Sequence, residues 1–195
     1  MSAKFDARPP RARITGFVYL LYFLTAVAAE AFVGRAGLHV FETLNLISHA
    51  CYIAVTLLLY CLFSVVNKNL SLLAALCSLL GCANDVLALL GLAPYNISSL
   101  AFFGPYCLLL GYLIFNSTFL PKILGTLMAL AGLGWLITLS PLASPLTLFL
   151  MALGLVAEAS LMLWLLVKGV NLPRWLEQAG ATQPTPAART GGFSS

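Results

Sequence analysis

Charge is what this chain has least of. Of its 195 residues, 8% are charged and 61% are hydrophobic, whereas a soluble domain carries roughly a quarter charged residues. Such a chain has too little polar surface to cover itself in water. The six acids and two histidines leave few groups for chemistry. Cys51, Cys61, Cys77, Cys82 and Cys107 show no metal-type spacing and read as small apolar packers. With only one histidine inside an apolar span, a bis-histidine haem has no ligand pair. No glycine-rich phosphate loop, nucleophile elbow or zinc motif occurs, so no metal and no cofactor is expected. Barrel-type alternation is absent as well.

What the chain does have is long apolar runs. Six of them approach or exceed the roughly 20 residues that cross a hydrocarbon core, near 14–33, 44–66, 70–91, 98–115, 121–140 and 145–168. Backbone groups cannot stay unpaired in lipid, so spans this apolar must be helices. The expected fold is an all-α polytopic membrane bundle of six transmembrane helices over 14–168. A basic tail (1–13) precedes it and a polar tail (169–195) follows.

The basic residues set the orientation. With six spans, Lys4, Arg8, Arg11, Arg13, Lys68, Lys122, Lys168, Arg174 and Arg189 share one side and only Arg35 lies opposite. The positive-inside rule then puts both termini in the cytoplasm, in a cell membrane, with the bilayer as the obligatory partner. The net charge of +4 is accounted for by this topology and by attraction to anionic lipid, so it gives no sign of nucleic-acid binding. The basic start and "AVAAEA" mimic a signal peptide with its cleavage site. The run is long for one, and cleavage would break the charge segregation. After the last span, "LPRWLEQAG" suggests a short interfacial helix with Trp175 at headgroup level, followed by a disordered segment.

The segments "ARITGFVYLLYFLTAVAAEAFV", "VNKNLSLLAAL", "LLLGYLIFNSTFLPKILGTLMALAGLGWL" and "EASLMLWLLVKGVN" resemble the integral membrane family called domain of unknown function 4386. The resemblance touches most of residues 12–171 and is most specific in the C-terminal third. It implies a multi-helix bacterial membrane protein, placed in the inner membrane, and no particular activity. Members of that family often have a longer polar loop between the first two spans, and an Arg near what is Cys77–Ser78 here.

Polar residues lie in stripes. On the second span Glu42, Asn45, His49, Tyr52, Thr56 and Tyr60 are spaced by threes and fours, so they share a face. Ser71, Ser78, Cys82 and Asp85 do the same on the third span, and Thr15, Tyr19, Tyr22 and Glu30 on the first. A rise of about 1.5 Å per residue puts Glu30 and Asp85 roughly 22–24 Å up their spans, with His49 nearly level and Glu158 somewhat lower. Those four form a candidate ligand pocket or proton relay. Arg35, His39, Glu42, Asn45 and Tyr52 are expected at its rim.

A charged residue at a span centre costs about 2.5–3.5 kcal/mol on insertion scales, and intramembrane acids pair with one another or line cavities. A protonated carboxyl making an interhelical hydrogen bond is the structural alternative. Gly125, Ala129 and Gly132 give the fifth span a small-residue face for close packing, and Gly104–Pro105 is expected to kink the fourth. Three functions fit this pattern. One is an outward-opening pocket that binds a small or lipidic ligand or moves it with protons, and a transporter this small is expected to be a homodimer. The second is an intramembrane enzyme on a lipid or isoprenoid, with a buried carboxyl as general acid. The third is a structural or partner-binding subunit.

Overall fold

The computed structural model describes residues 12–32, 38–93, 97–140 and 145–181. Seven helices and no strand occur among them: α1 (Ala12–Phe32), α2 (Leu38–Phe63), α3 (Lys68–Leu89), α4 (Leu100–Asn116), α5 (Lys122–Thr138), α6 (Thr147–Val167) and α7 (Leu172–Ala181). Each of α1–α6 packs on its neighbours in sequence, and α6 packs back on α1, so the six close into a ring. Short connections keep successive helices antiparallel. Because α1 is a full member of this ring, with Tyr19 wholly buried, it behaves as part of the bundle.

By length and composition four helices can cross a membrane: α1, α2, α3 and α6. The apolar α4 and α5 have 17 residues each. Outward-facing positions are apolar, including Leu148 at 82% exposure and Ile123 at 68%, while Thr15, Ser48, Thr56, Ser71 and Ser78 are buried. An apolar outside around a partly polar inside needs lipid rather than water as solvent.

Helix starts follow local chemistry. The Asn67 side chain accepts from the Leu70 amide at 3.1 Å and so caps α3. Helix α2 begins at Leu38, a turn and a half before the expected 44. No Pro or Gly interrupts "LHVFET", and hydropathy marks only the part that enters lipid, whereas backbone bonding continues past it. Helix α4 runs on through Pro105, whose missing N–H removes one bond near the helix start.

The stripes on α2 and α3 meet as rungs. His49 faces Asp85, Thr56 Oγ1 and Ser78 Oγ lie 2.7 Å apart, and Ser71 Oγ donates to the Tyr60 carbonyl at 3.2 Å. Between α4 and α5 the backbones themselves touch. A Cβ added at Gly111 would lie 2.7 Å from the Gly125 carbonyl, and one at Gly132 would lie 2.7 Å from the Gly104 carbonyl.

Helix α7 corrects one expectation. Trp175 does not sit at headgroup level: it is 2% exposed and turned into the bundle. The reason is the set of orphan carbonyls at helix C-termini. Trp175 Nε1 donates to Leu62 in the last turn of α2 at 3.0 Å. Gln178 Nε2 donates to Asn116, the last residue of α4, at 3.2 Å. Trp175→Phe leaves the Leu62 carbonyl buried and unpaired, and should cost about 1–2 kcal/mol, read as a lower unfolding midpoint in detergent. An unchanged midpoint would remove that bond from the account of α7 docking.

Candidate functional site

The lone carboxyl of α6 has a partner. Tyr19 Oη donates to Glu158 Oε2 at 2.9 Å, from α1 to α6. A stripe spaced four, three, four and three carries Thr15, Tyr19, Tyr22, Ala26 and Ala29 along the inward side of α1. The backbones of α1 and α6 come close because Gly16 faces the Leu165–Leu166 backbone, where a Cβ would collide. Glycine at that position brings Tyr19 within reach of Glu158.

Helices α2 and α3 contribute the second polar pair. His49 Nε2 lies 3.4 Å from Asp85 Oδ2, and His49 Nδ1 lies 2.8 Å from the Asn45 carbonyl. A carbonyl only accepts, so Nδ1 carries a proton, and its tautomer is fixed by the helix backbone. For Nε2 and Asp85 Oδ2 to hydrogen-bond, one of the two must carry a further proton. Whichever of them holds it, the pair is neutral overall.

The His49–Asp85 pair and the Glu158 carboxyl border one cavity of about 280 Å³. Each helix of the ring supplies a wall: Tyr22 from α1, Tyr52 from α2, Asp85 from α3, Phe103 from α4, Trp135 from α5 and Glu158 from α6. The rings are mutually inclined. Tyr22 and Tyr52 have centroids 4.7 Å apart at 57°, and Tyr52 and Phe103 are 5.5 Å apart at 88°. Trp135 is seated by Gly154, where a Cβ would strike the indole. Deeper in, Tyr106 is 2% exposed, and its hydroxyl makes no hydrogen bond of good geometry although Tyr52 lies beside it.

The cavity thus gathers His49, Asp85 and Glu158, with Asn45 and Tyr52 on its walls. Glu30 is not brought in. The inward stripe of α1 passes through Ala29, which is fully buried, so Glu30 is turned roughly 100° away and is exposed. Its spacing of eight from Tyr22 fits a helix face, but the seven-residue repeat of the contact stripe selects Ala29 instead. His39 and Glu42 pair loosely at 3.8 Å, with the His39 side chain 99% exposed, and neither lines the cavity. Arg35 lies outside the described residues. Ser48, Phe103 and Trp135 also line the cavity without standing out in the sequence. The one available signal for Trp135 is Gly154, the single glycine of α6.

Comparison with known proteins places the chain. The family model described as "Domain of unknown function (DUF4386)" matches residues 94–169. An "Uncharacterized protein" of Archaeoglobus fulgidus is 32% identical over 126 residues, covering 62% of this chain and 78% of that protein. The chain belongs to the domain of unknown function 4386 family. The family match runs from just before α4 to just after α6, so it includes Phe103, Trp135 and Glu158 while His49 and Asp85 fall outside it. No solved structure matches. The relative comes from an archaeon, so it does not carry the bacterial expectation.

Proposed function

We propose that this member of the family is a six-span membrane protein with both termini in the cytoplasm, and that its cavity binds a small ligand from the outer side and couples its movement to protons carried by the cavity's ionisable groups. The observation that carries the reading is the cavity itself, with ionisable groups from α2, α3 and α6 on its walls. Intramembrane ionisable groups mark ligand sites and proton pathways. A structural bundle needs no such opening.

Topology supports the outward direction. At 17 residues α4 and α5 sit at the short end of the spanning range, and both are held side by side between α3 and α6. Six alternating spans put Lys68, Lys122, Lys168 and Arg174 on one side, which the positive-inside rule makes cytoplasmic. The cavity lies toward the other end. Asp85 and Trp135 are near the ends of α3 and α5, and Leu100 begins α4. In a cysteine-free background, Ser98→Cys should react with an impermeant maleimide in intact cells and Lys68→Cys should not. Labelling at position 68 alone would invert the orientation.

For the ligand, native mass spectrometry of protein released from nanodiscs should show a bound small molecule. Ser48→Trp, which fills the cavity, should lose it. An adduct retained in that variant would place binding elsewhere.

A further inference from the structure

Resting on that reading of the cavity, we infer that its ligand is a small organic cation, an ammonium compound with few carbons. Each of the six helices contributes at least one wall residue, and among them are four aromatic rings and two carboxyls (Tyr22, Tyr52, Phe103, Trp135, Asp85 and Glu158), with His49 beside Asp85. Among the described residues lining the cavity there is no Lys and no Arg.

Charge accounting singles out Glu158. The Nδ1–H of His49 is committed to the Asn45 carbonyl, and the one further proton that a His49–Asp85 hydrogen bond requires makes that pair neutral overall. Among the described residues the hydrogen-bond donor to Glu158 is neutral, the Tyr19 hydroxyl on Oε2. When ionised it is therefore the unmatched charge of the cavity. An uncompensated carboxylate inside a membrane bundle is costly, and a cationic ligand supplies what the protein's own residues do not.

The rings favour the same class. Aromatic faces carry partial negative charge, and an ammonium group over Trp, Tyr or Phe is attracted to it, most strongly where water is excluded. Rings inclined at 57° and 88° to one another make walls around a rounded headgroup, whereas a flat ligand would favour parallel stacking. An anion would meet two carboxyls, and the one basic side chain on the wall, His49, is already paired with Asp85. A lipid is too large, because a cavity of about 280 Å³ falls at the lower edge of the roughly 300–1,000 Å³ that houses drug-sized ligands.

The test uses the full chain in nanodiscs and calorimetric titration with tetramethylammonium, butylammonium, choline, and the uncharged isostere of choline in which carbon replaces nitrogen. Choline should bind at least about tenfold more tightly than its isostere. Glu158→Gln keeps an acceptor for Tyr19 and should weaken choline binding by at least about tenfold without changing the isostere. Phe103→Leu, which leaves every ionisable group in place, should weaken choline about threefold or more. Equal binding of choline and its isostere, no binding of any of the three cations, or choline affinity unchanged in both variants would overturn the cation assignment. Choline bound with undiminished affinity by Ser48→Trp would instead overturn the cavity as the site. The two failures are thus distinguishable.

Discussion

Gly111→Ile should stop α4 from closing on α5 and lower stability by upwards of about 3 kcal/mol. The two helices touch at Gly111 with Gly125 and, seven residues along each, at Gly104 with Gly132. At three of these glycines the obstacle to a side chain is backbone. A Cβ on Gly111 would meet the Ala129 amide at 2.8 Å, one on Gly125 the Phe115 amide at 2.9 Å, and one on Gly132 the Leu108 amide at 2.8 Å. Backbone cannot rotate aside as a side chain can, so the helices must separate. In lipid there is no hydrophobic gain from keeping two apolar helices together, only packing and hydrogen bonding, and separation forfeits that contact along its length. Gly111→Ala should already cost about 1–3 kcal/mol. The control is Gly180→Ala on α7, where the added methyl meets nothing within 4 Å and helix propensity should make the change neutral or favourable by up to about 1 kcal/mol. The measurement is the unfolding midpoint of each variant in mild detergent titrated with denaturing detergent. Gly111→Ile at the wild-type midpoint would mean that the α4–α5 contact does not hold the bundle together.

Much of this fold was legible because lipid imposes a simple rule of apolar length. The helices lie where the apolar runs do, and α3, α4 and α5 begin or end within two residues of the expected limits. The small face on α5 was visible as Gly125, Ala129 and Gly132, but its partner on α4 was not. Gly104 beside Pro105 reads as a kink, and Gly111 alone reads as nothing. Only the antiparallel register makes them a matching pair. Trp175 misled for a related reason. An amphipathic segment after the last span fits a headgroup position equally well, and the Leu62 carbonyl that draws the indole inward belongs to a helix more than a hundred residues earlier.

The polar interior was legible to the accuracy of a helical wheel. Spacing by threes and fours on α2 and α3 anticipated a shared face, and the two stripes meet as antiparallel rungs. On α1 the same reasoning admitted Glu30, since eight residues from Tyr22 also suits a helix. The difference between seven and eight residues is roughly 100° of rotation, and only contact with α2 and α6 decides it. The aromatic walls had no signal of their own, because Phe103 and Trp135 look like any lipid-facing residue until Gly81 and Gly154 are seen to accommodate them.

The His49–Asp85 pair offers the sharpest separation of a scaffold from a working site. Their side chains are 19% and 33% exposed, so the pair is neither dry nor at a free surface. Removing one partner of a buried pair costs about 3–5 kcal/mol. With this exposure, His49→Leu or Asp85→Leu alone should cost about 2 kcal/mol, since each leaves a polar group facing an apolar replacement. The double variant removes both groups and should recover most of that loss, giving a coupling of about 1–2 kcal/mol in the cycle. Additive losses would mean that the 3.4 Å approach contributes no interaction. The second readout is ligand retention by native mass spectrometry. A double variant as stable as the wild type, yet unable to hold the molecule that co-purifies with it, assigns the pair to binding, because apolar replacements serve a scaffold as well as an ion pair does. Retained ligand in that variant would leave Glu158 and the aromatic walls as the site and return His49 and Asp85 to the framework.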